Sequence, residues 1–245
     1  MSFLINPYRF APAVPWTPAN ITTALWLDAS DASTVTTANG AVSEWRDKSG
    51  NARHATNATT ATQPAHTSGS VVFTSDRLNL PAAAWPTDGY SIIAVMQGST
   101  TGSGGTGLIN IQSSPADDPE VRIADDTAVY DYFNGGYALT TSTSTLSSKG
   151  ILCIERSAGV KSELFANGSS VTSGTRAGTL SSTSTFTLGF YPTTNAYRNG
   201  TIWRLIVYPT STDNRQRIEG WMAHEEGLTG LLPAGHPYKS AAPTI

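Results

Sequence analysis

From Thr22 onward the chain divides into short apolar runs separated by Gly, Pro, Asn, Asp and Ser: TALWL (23–27), VVF (71–73), YSIIAVM (90–96), GLINIQ (107–112), EVRIA (120–124), AVYDYF (128–133), ILCIE (151–155), SELFA (162–166), FTLGF (186–190) and TIWRLIVY (201–208). Short runs rich in β-branched and aromatic residues, with turn residues between them and no long helices, predict an all-β antiparallel sandwich or jelly roll rather than βαβ units. The stretch ILCIERSAGVKSELFANGSSV predicts a hairpin, followed by a tight turn at Asn167-Gly168 that favours positive φ. In AVSEWRDKSGNARHAT (41–56), Val42 and Trp45 are expected to face inward and Glu44 and Arg46 outward. Asp47 to Asn51 then predicts a turn in which Asp and Ser cap backbone amides and Gly50 takes positive φ. One helix is expected over 213–227, with Asp213 as N-cap, Gln216 three residues on, Ile218, Trp221 and Met222 on one face, and Gly227 as the stop.

Residues 1–21 follow another pattern. Pro7, Pro12, Pro15 and Pro18 interleave with Phe3, Tyr8, Phe10 and Trp16. Proline at that density stiffens an extended arm and removes amide donors, so the arm precedes a single domain over 22–245. Its aromatic rings either lie on their own domain or, as Phe3, Tyr8, Phe10 and Trp16 acting together, form an anchor buried against another subunit.

Charge narrows the partners. Only 13% of the 245 residues are charged and the net charge is -3, which gives no field to gather nucleic acid or an anionic membrane. No run approaches the roughly 20 apolar residues that insert into a bilayer, and the start of the chain lacks the basic-then-apolar signature of a signal peptide. The single cysteine, Cys153, excludes an intrachain disulfide framework and reads as a buried core thiol.

Several motifs resemble chemistry and lack its context. Gly102, Gly104 and Gly107 have dinucleotide-loop spacing but lead into strand-like LINIQ, so they predict a hairpin loop. His224-Glu225 opens a zincin-like pattern, yet Leu228 stands where the second histidine belongs. The acidic stretch 115–133 is a stronger candidate. Asp117, Asp118, Asp125 and Asp126, with Glu120 and Asp131 nearby, suit solvated turns, a calcium or polar-ligand site, or a general acid and base for glycoside hydrolysis. Calcium is thus the one cofactor to consider. Trp85, Tyr130, Tyr132, Tyr191 and Tyr197 lie near turns, where rings either pack or stack on a sugar.

With these elements in place, ALWLDASDAST (24–34), the stretch through SEWRDKSGN, ELFANGSSV, FTLGFYPTTNAYRNGTIWRLIVYP and RQRIEGWMAHEEGLTGLLPAGHPYK together resemble a concanavalin A-like (laminin G-like) jelly-roll domain. The likeness is to the variant of bacterial surface proteins and of tailed-bacteriophage virion proteins, and it spans nearly everything from 22 to 239. It implies two curved antiparallel sheets, with the Asn167-Gly168 turn and the strand around Trp203 as standard parts, and binding of glycans or proteins. Enzymatic relatives of that fold, the retaining β-glucanases, carry an E-x-D-x-x-E strand. This chain lacks it, and Glu155 and Glu163 stand isolated, so the resemblance implies no catalytic residue and no enzyme. The opening INPYRFA and the helix-plus-HPY ending look similar to phage particle proteins. They imply a virion structural protein made in the host cytoplasm and displayed as head decoration, fibre or tail adhesin. Other virion proteins would hold it through the arm, host-surface glycans would be its targets, and its oligomeric state is left open. A bacterial carbohydrate-binding module and a glycan-degrading enzyme using the acidic stretch are the alternatives.

Overall fold

Alternation of side chains along each strand sets the architecture. The computed structural model describes residues 13–81, 89–102, 107–112, 120–123, 129–133, 136–141, 147–157, 161–175, 185–192, 195–209 and 212–245. In chain order the strands are β1 (Leu25–Asp28), β2 (Val35–Ala38), β3 (Ala41–Trp45), β4 (Ala55–Thr56), β5 (Ala65–Thr67), β6 (Ser70–Phe73), β7 (Leu78–Leu80), β8 (Tyr90–Gly102) and β9 (Ile109–Gln112). They continue as β10 (Glu120–Ile123), β11 (Val129–Phe133), β12 (Gly136–Thr141), β13 (Gly150–Ser157), β14 (Lys161–Ala166), β15 (Ser169–Thr175), β16 (Thr185–Leu188), β17 (Phe190–Tyr191) and β18 (Ala196–Pro209). One α-helix, α1 (Thr212–Glu225), follows.

One antiparallel sheet runs β1–β18–β8–β13–β14–β15. A second runs β2–β3–β4–β7–β16–β9–β10–β11–β12. Strands β5 and β6 bridge them, β5 pairing with β3 and β6 with the first half of β18. The protein is an all-β antiparallel sandwich, with one α-helix among the described residues.

Residues facing the second sheet, such as Leu25, Leu27, Ile92, Ala94, Met96, Leu152, Ile154, Leu205 and Val207, form the main core with Trp45 and Phe186. The intervening residues of the same strands, Trp26, Ile93, Val95, Ile151, Cys153, Phe165, Ile206 and Tyr208, form a second core under α1. With both faces covered, β8 and β13 read as continuous apolar runs instead of alternating ones. Ile218, Trp221 and Met222 cover this face as their spacing predicts, joined by Ala223.

The helix begins one residue earlier than expected, so Asp213 lies inside the first turn, where its carboxylate still faces the positive end of the helix. Gly227, at φ 69°, ends it, and the Leu228 amide reaches back to the Ala223 carbonyl at 2.7 Å, a Schellman-type closure. Cys153 is buried as expected, and burial, with Glu219 and Glu155 nearby, raises its thiol pKa well above the ordinary value.

The arm requires a correction at Trp16. Its side chain is buried in the second core, its amide donates to the Pro243 carbonyl (3.0 Å), and Pro15 bridges Thr244. An indole buried against its own chain is not available to a partner, so Trp16 leaves the set of candidate anchors. Phe3, Tyr8 and Phe10 lie outside the described residues.

Candidate functional site

The first half of β18 carries a row of half-buried side chains. In AYRNGTIW (196–203), Ala196, Arg198 and Ile202 are buried, whereas Tyr197, Asn199, Thr201 and Trp203 are half-buried. These are the half-buried side chains of this half of the strand, two aromatics flanking an amide and a hydroxyl, and the pairing with β8 shifts register between Arg198 and Gly200 and again between Ile202 and Arg204. Antiparallel pairing sets Val72 of β6 and Gln97 of β8 on either side of Thr201. The next rung holds Phe73, Gly200 and Gly98; Phe73 turns into the core, and the glycines raise no side chain.

The result is an open groove of about 350 Å³ lined by Val72, Phe73, Thr74, Gln97, Gly98, Asn199, Gly200 and Thr201. Gly200 is required there because a Cβ would come within 2.7 Å of the Gln97 carbonyl and of a Leu108 methyl. The rim is held by hydrogen bonds. The Ser75 amide donates to Asn199 Oδ1 (2.9 Å), the Thr74 amide donates to Asp76 Oδ2 (2.7 Å), and Gln97 Nε2 donates to the Ser147 carbonyl (3.0 Å). Ser75 adopts φ 61°, a left-handed conformation that this pinning sustains. Burial raises the Asp76 carboxyl above its ordinary range, against the lowering pull of the Thr74 amide. None of the eight lining residues is ionisable.

Beyond Trp203 lies a charged and aromatic corner. Arg204 donates to Asp28 Oδ2 (2.9 Å), Glu226 Oε1 (2.6 Å) and Ser30 Oγ (2.8 Å) and lies over Trp221. Lys149 binds Glu226 Oε2 (2.6 Å) over the Trp203 ring, and Lys48 binds Asp31 Oδ2 (2.8 Å) over the Trp26 ring. Trp26 and Trp221 meet edge to face at 6.0 Å. These charges neutralise one another and tie β1, β18 and α1 together. The acidic pair after His224 belongs here, and His224 Nε2 lies 2.9 Å from the Tyr238 carbonyl.

A third cluster is sealed beneath α1. Arg215 Nε donates to Glu155 Oε2 (3.1 Å), its Nη1 donates to both oxygens of Glu219 (2.8 and 2.7 Å), and His236 Nε2 lies 3.2 Å from Glu219 Oε2. Arg215 also stacks on Phe165. Glu219 is fully buried, so this cluster joins helix, sheet and tail rather than facing a substrate. Glu155 is therefore not isolated, as it looked in the sequence, but one end of a buried charge chain.

Of the sequence candidates, Tyr197 lies beside the groove, its ring 4.9 Å from that of Phe190. Tyr191 is buried, and a buried ring cannot stack on a ligand. Tyr130 and Tyr132 belong to β11, a strand of the second sheet, whereas the groove lies on β6, β8 and β18. Trp85, Asp117, Asp118, Asp125 and Asp126 lie outside the described residues. Among the described residues no group of three or more His, Cys, Asp or Glu could hold a metal ion. Asn199, Thr201, Gln97 and Thr74 were missed. The alternation Tyr197-x-Asn199-x-Thr201-x-Trp203 was the signal that could have found the β18 part, but the contributions of β6 and β8 arise only from pairing.

No family model matches the chain, and no curated sequence matches it closely. Solved structures do. A Trypanosoma rangeli sialidase in complex with 2,3-difluorosialic acid aligns over 87% of this chain and 36% of its own, at 12% identity and TM-score 0.60. Domain 4 of a GH43 extracellular arabinanase from Geobacillus stearothermophilus, in complex with arabinotriose, aligns over 77% of this chain and 92% of its own, at 13% identity and TM-score 0.55. The ligand-binding domain of botulinum neurotoxin serotype D, in complex with N-acetylneuraminic acid, aligns over 85% of this chain and 51% of its own, at 12% identity and TM-score 0.54. This chain thus spans about a third of the sialidase. The expectation of a protein that is not an enzyme is corrected by these neighbours: it rested on the missing strand motif of one enzyme class, whereas the sandwich also occurs in a sialidase and in a domain of an arabinanase. At this identity the likeness establishes the β-sandwich fold.

Proposed function

We propose that the chain is a carbohydrate-recognising β-sandwich that acts as a binding module on glycans. The observation that supports it best is the agreement among three different proteins. The sialidase, the arabinanase domain and the toxin domain each align over more than three quarters of this chain, and each is described with a bound sugar or sugar analogue. The groove on β6, β8 and β18 adds a concave, hydroxyl- and amide-lined surface flanked by aromatic rings, the combination that orients a sugar. A glycan array carrying neutral and sialylated saccharides tests the reading; absence of binding across the array refutes it. Reducing ends released in the same incubations would extend the function from recognition to cleavage.

The resemblance in sequence adds a setting, the surface of a tailed-phage particle reached through the segment before Trp16. This part of the proposal rests on the Pro- and aromatic-rich start of the chain. Deletion of residues 1–12 followed by undiminished incorporation into particles would sink it.

A further inference from the structure

Building on the carbohydrate-recognition reading, we propose that the groove bounded by Val72, Thr74, Gln97, Asn199 and Thr201 is the saccharide site, and that it takes an uncharged oligosaccharide laid along β18 rather than a sialylated glycan.

Three features carry this. The first is chemistry: two hydroxyls and two amides present both donors and acceptors, matching sugar hydroxyls, which are both as well. A carboxylate pressed into such a site needs a cation, because an unpaired buried charge is costly. Among the described residues the cations around it are engaged: Arg198 is buried, Arg77 lies over the Phe190 ring, Lys149 is paired with Glu226, and Arg204 is paired with Asp28 and Glu226.

The second feature is shape. Tyr197 and Trp203 mark the ends of the half-buried row, and the six residue steps from one to the other span about 20 Å, longer than a single sugar ring. The third is preorganisation. Asn199 is held by the Ser75 amide and Gln97 by the Ser147 carbonyl, so these side chains need little ordering when a ligand arrives.

The test uses the full chain and a panel of uncharged arabino-, gluco- and manno-oligosaccharides of three or more units, with N-acetylneuraminic acid and a sialylated trisaccharide alongside. Thr201 is half-buried at the surface, so Thr201→Val, which deletes the hydroxyl, and Thr201→Arg, which fills the groove, are both expected to fold; thermal melting verifies this. Calorimetric titration is expected to show an uncharged oligosaccharide binding the unaltered chain. Thr201→Val should weaken that binding about fivefold and Thr201→Arg by more than about thirtyfold. Unchanged affinity in Thr201→Arg would overturn the groove assignment and leave glycan recognition standing. Preference of the unaltered chain for the sialylated ligands would overturn the charge argument. Silence of the unaltered chain on every glycan removes the functional reading itself, and this inference with it.

Discussion

Asp47 organises the opening corner of the sandwich with a single carboxylate. Oδ1 accepts from the Trp26 amide (3.0 Å) and the Ser49 amide (2.8 Å), while Oδ2 accepts from Ser49 Oγ (2.7 Å) and the Arg53 amide (3.0 Å). Gly50, at φ 85°, lets the chain turn around it. Substituting Asp47→Ala strands three main-chain amides at a buried position and is expected to cost about 3–5 kcal/mol, at roughly 1–3 kcal/mol per orphaned group when water reaches some of them. Trp45 is fully buried in the main core, so Trp45→Ala should cost about 3–5 kcal/mol. The Lys48 pair with Asp31 is partly exposed, which limits Lys48→Ala to about 1 kcal/mol or less. Urea unfolding of the three variants checks the order; comparable small losses in all three would mean that the corner is not built as described.

At the scale of elements, α1 depends on the tail that follows it. His236 reaches Glu219, the Tyr238 carbonyl lies 2.9 Å from His224 Nε2, and Lys239 Nζ binds the carbonyls of Thr229, Gly230 and Leu232. Glycine within a helix normally gains about 1 kcal/mol on replacement by alanine. At Gly220 the sign reverses, because a Cβ would collide with the Tyr238 side chain. Gly220→Ala should therefore lower the melting temperature, and a rise would show that the tail is not seated there. Glu219→Ala leaves Arg215 buried with one carboxylate fewer and is expected to cost about 3–5 kcal/mol, or about 10 °C in a chain of this size.

These elements were legible in unequal measure. The apolar runs on β1, β8, β13 and β18 announced themselves because both their faces are buried, and α1 because Ile218, Trp221 and Met222 share a face. Strand β15 (SSVTSGT) did not stand out, since it is held by pairing with β14 while its residues are mostly polar and none is buried. Arg215 and Glu219 look in sequence like an ordinary exposed i,i+4 pair. Only the tail and β13, distant in sequence, bury them.

For the whole molecule, covering the outer face of one sheet with a helix places a charge chain in the interior, and stability then acquires a dependence on pH that can be traced to one side chain. Burial is the dominant influence on Glu155 and, with Glu219 nearby, outweighs the lowering effect of Arg215, so its carboxyl titrates above the ordinary value of 4.5. The folded protein thus holds that proton more readily than the unfolded chain does. The Glu155 contribution is fully present below pH 4.5 and is lost as pH rises through the raised folded value. Two other carboxylates act in the opposite sense. Lys48 and Ser33 hold Asp31 below its ordinary value, and Lys161 and Ser170 hold Glu163 low despite burial, which alone would raise it. Their contributions are present near neutrality and decline only as pH falls below the ordinary carboxylate range. The window between neutrality and about pH 5 therefore isolates Glu155 from both. Glu155→Gln keeps the shape and removes the titration. Melting scans of the two proteins should show the unaltered chain gaining on the variant as pH drops from 7 to 5, with Asp76, also raised by burial, contributing equally to both. A constant difference across that window would mean that Glu155 carries the same charge folded and unfolded, and that the charge cluster under α1 is more accessible to water than its packing indicates.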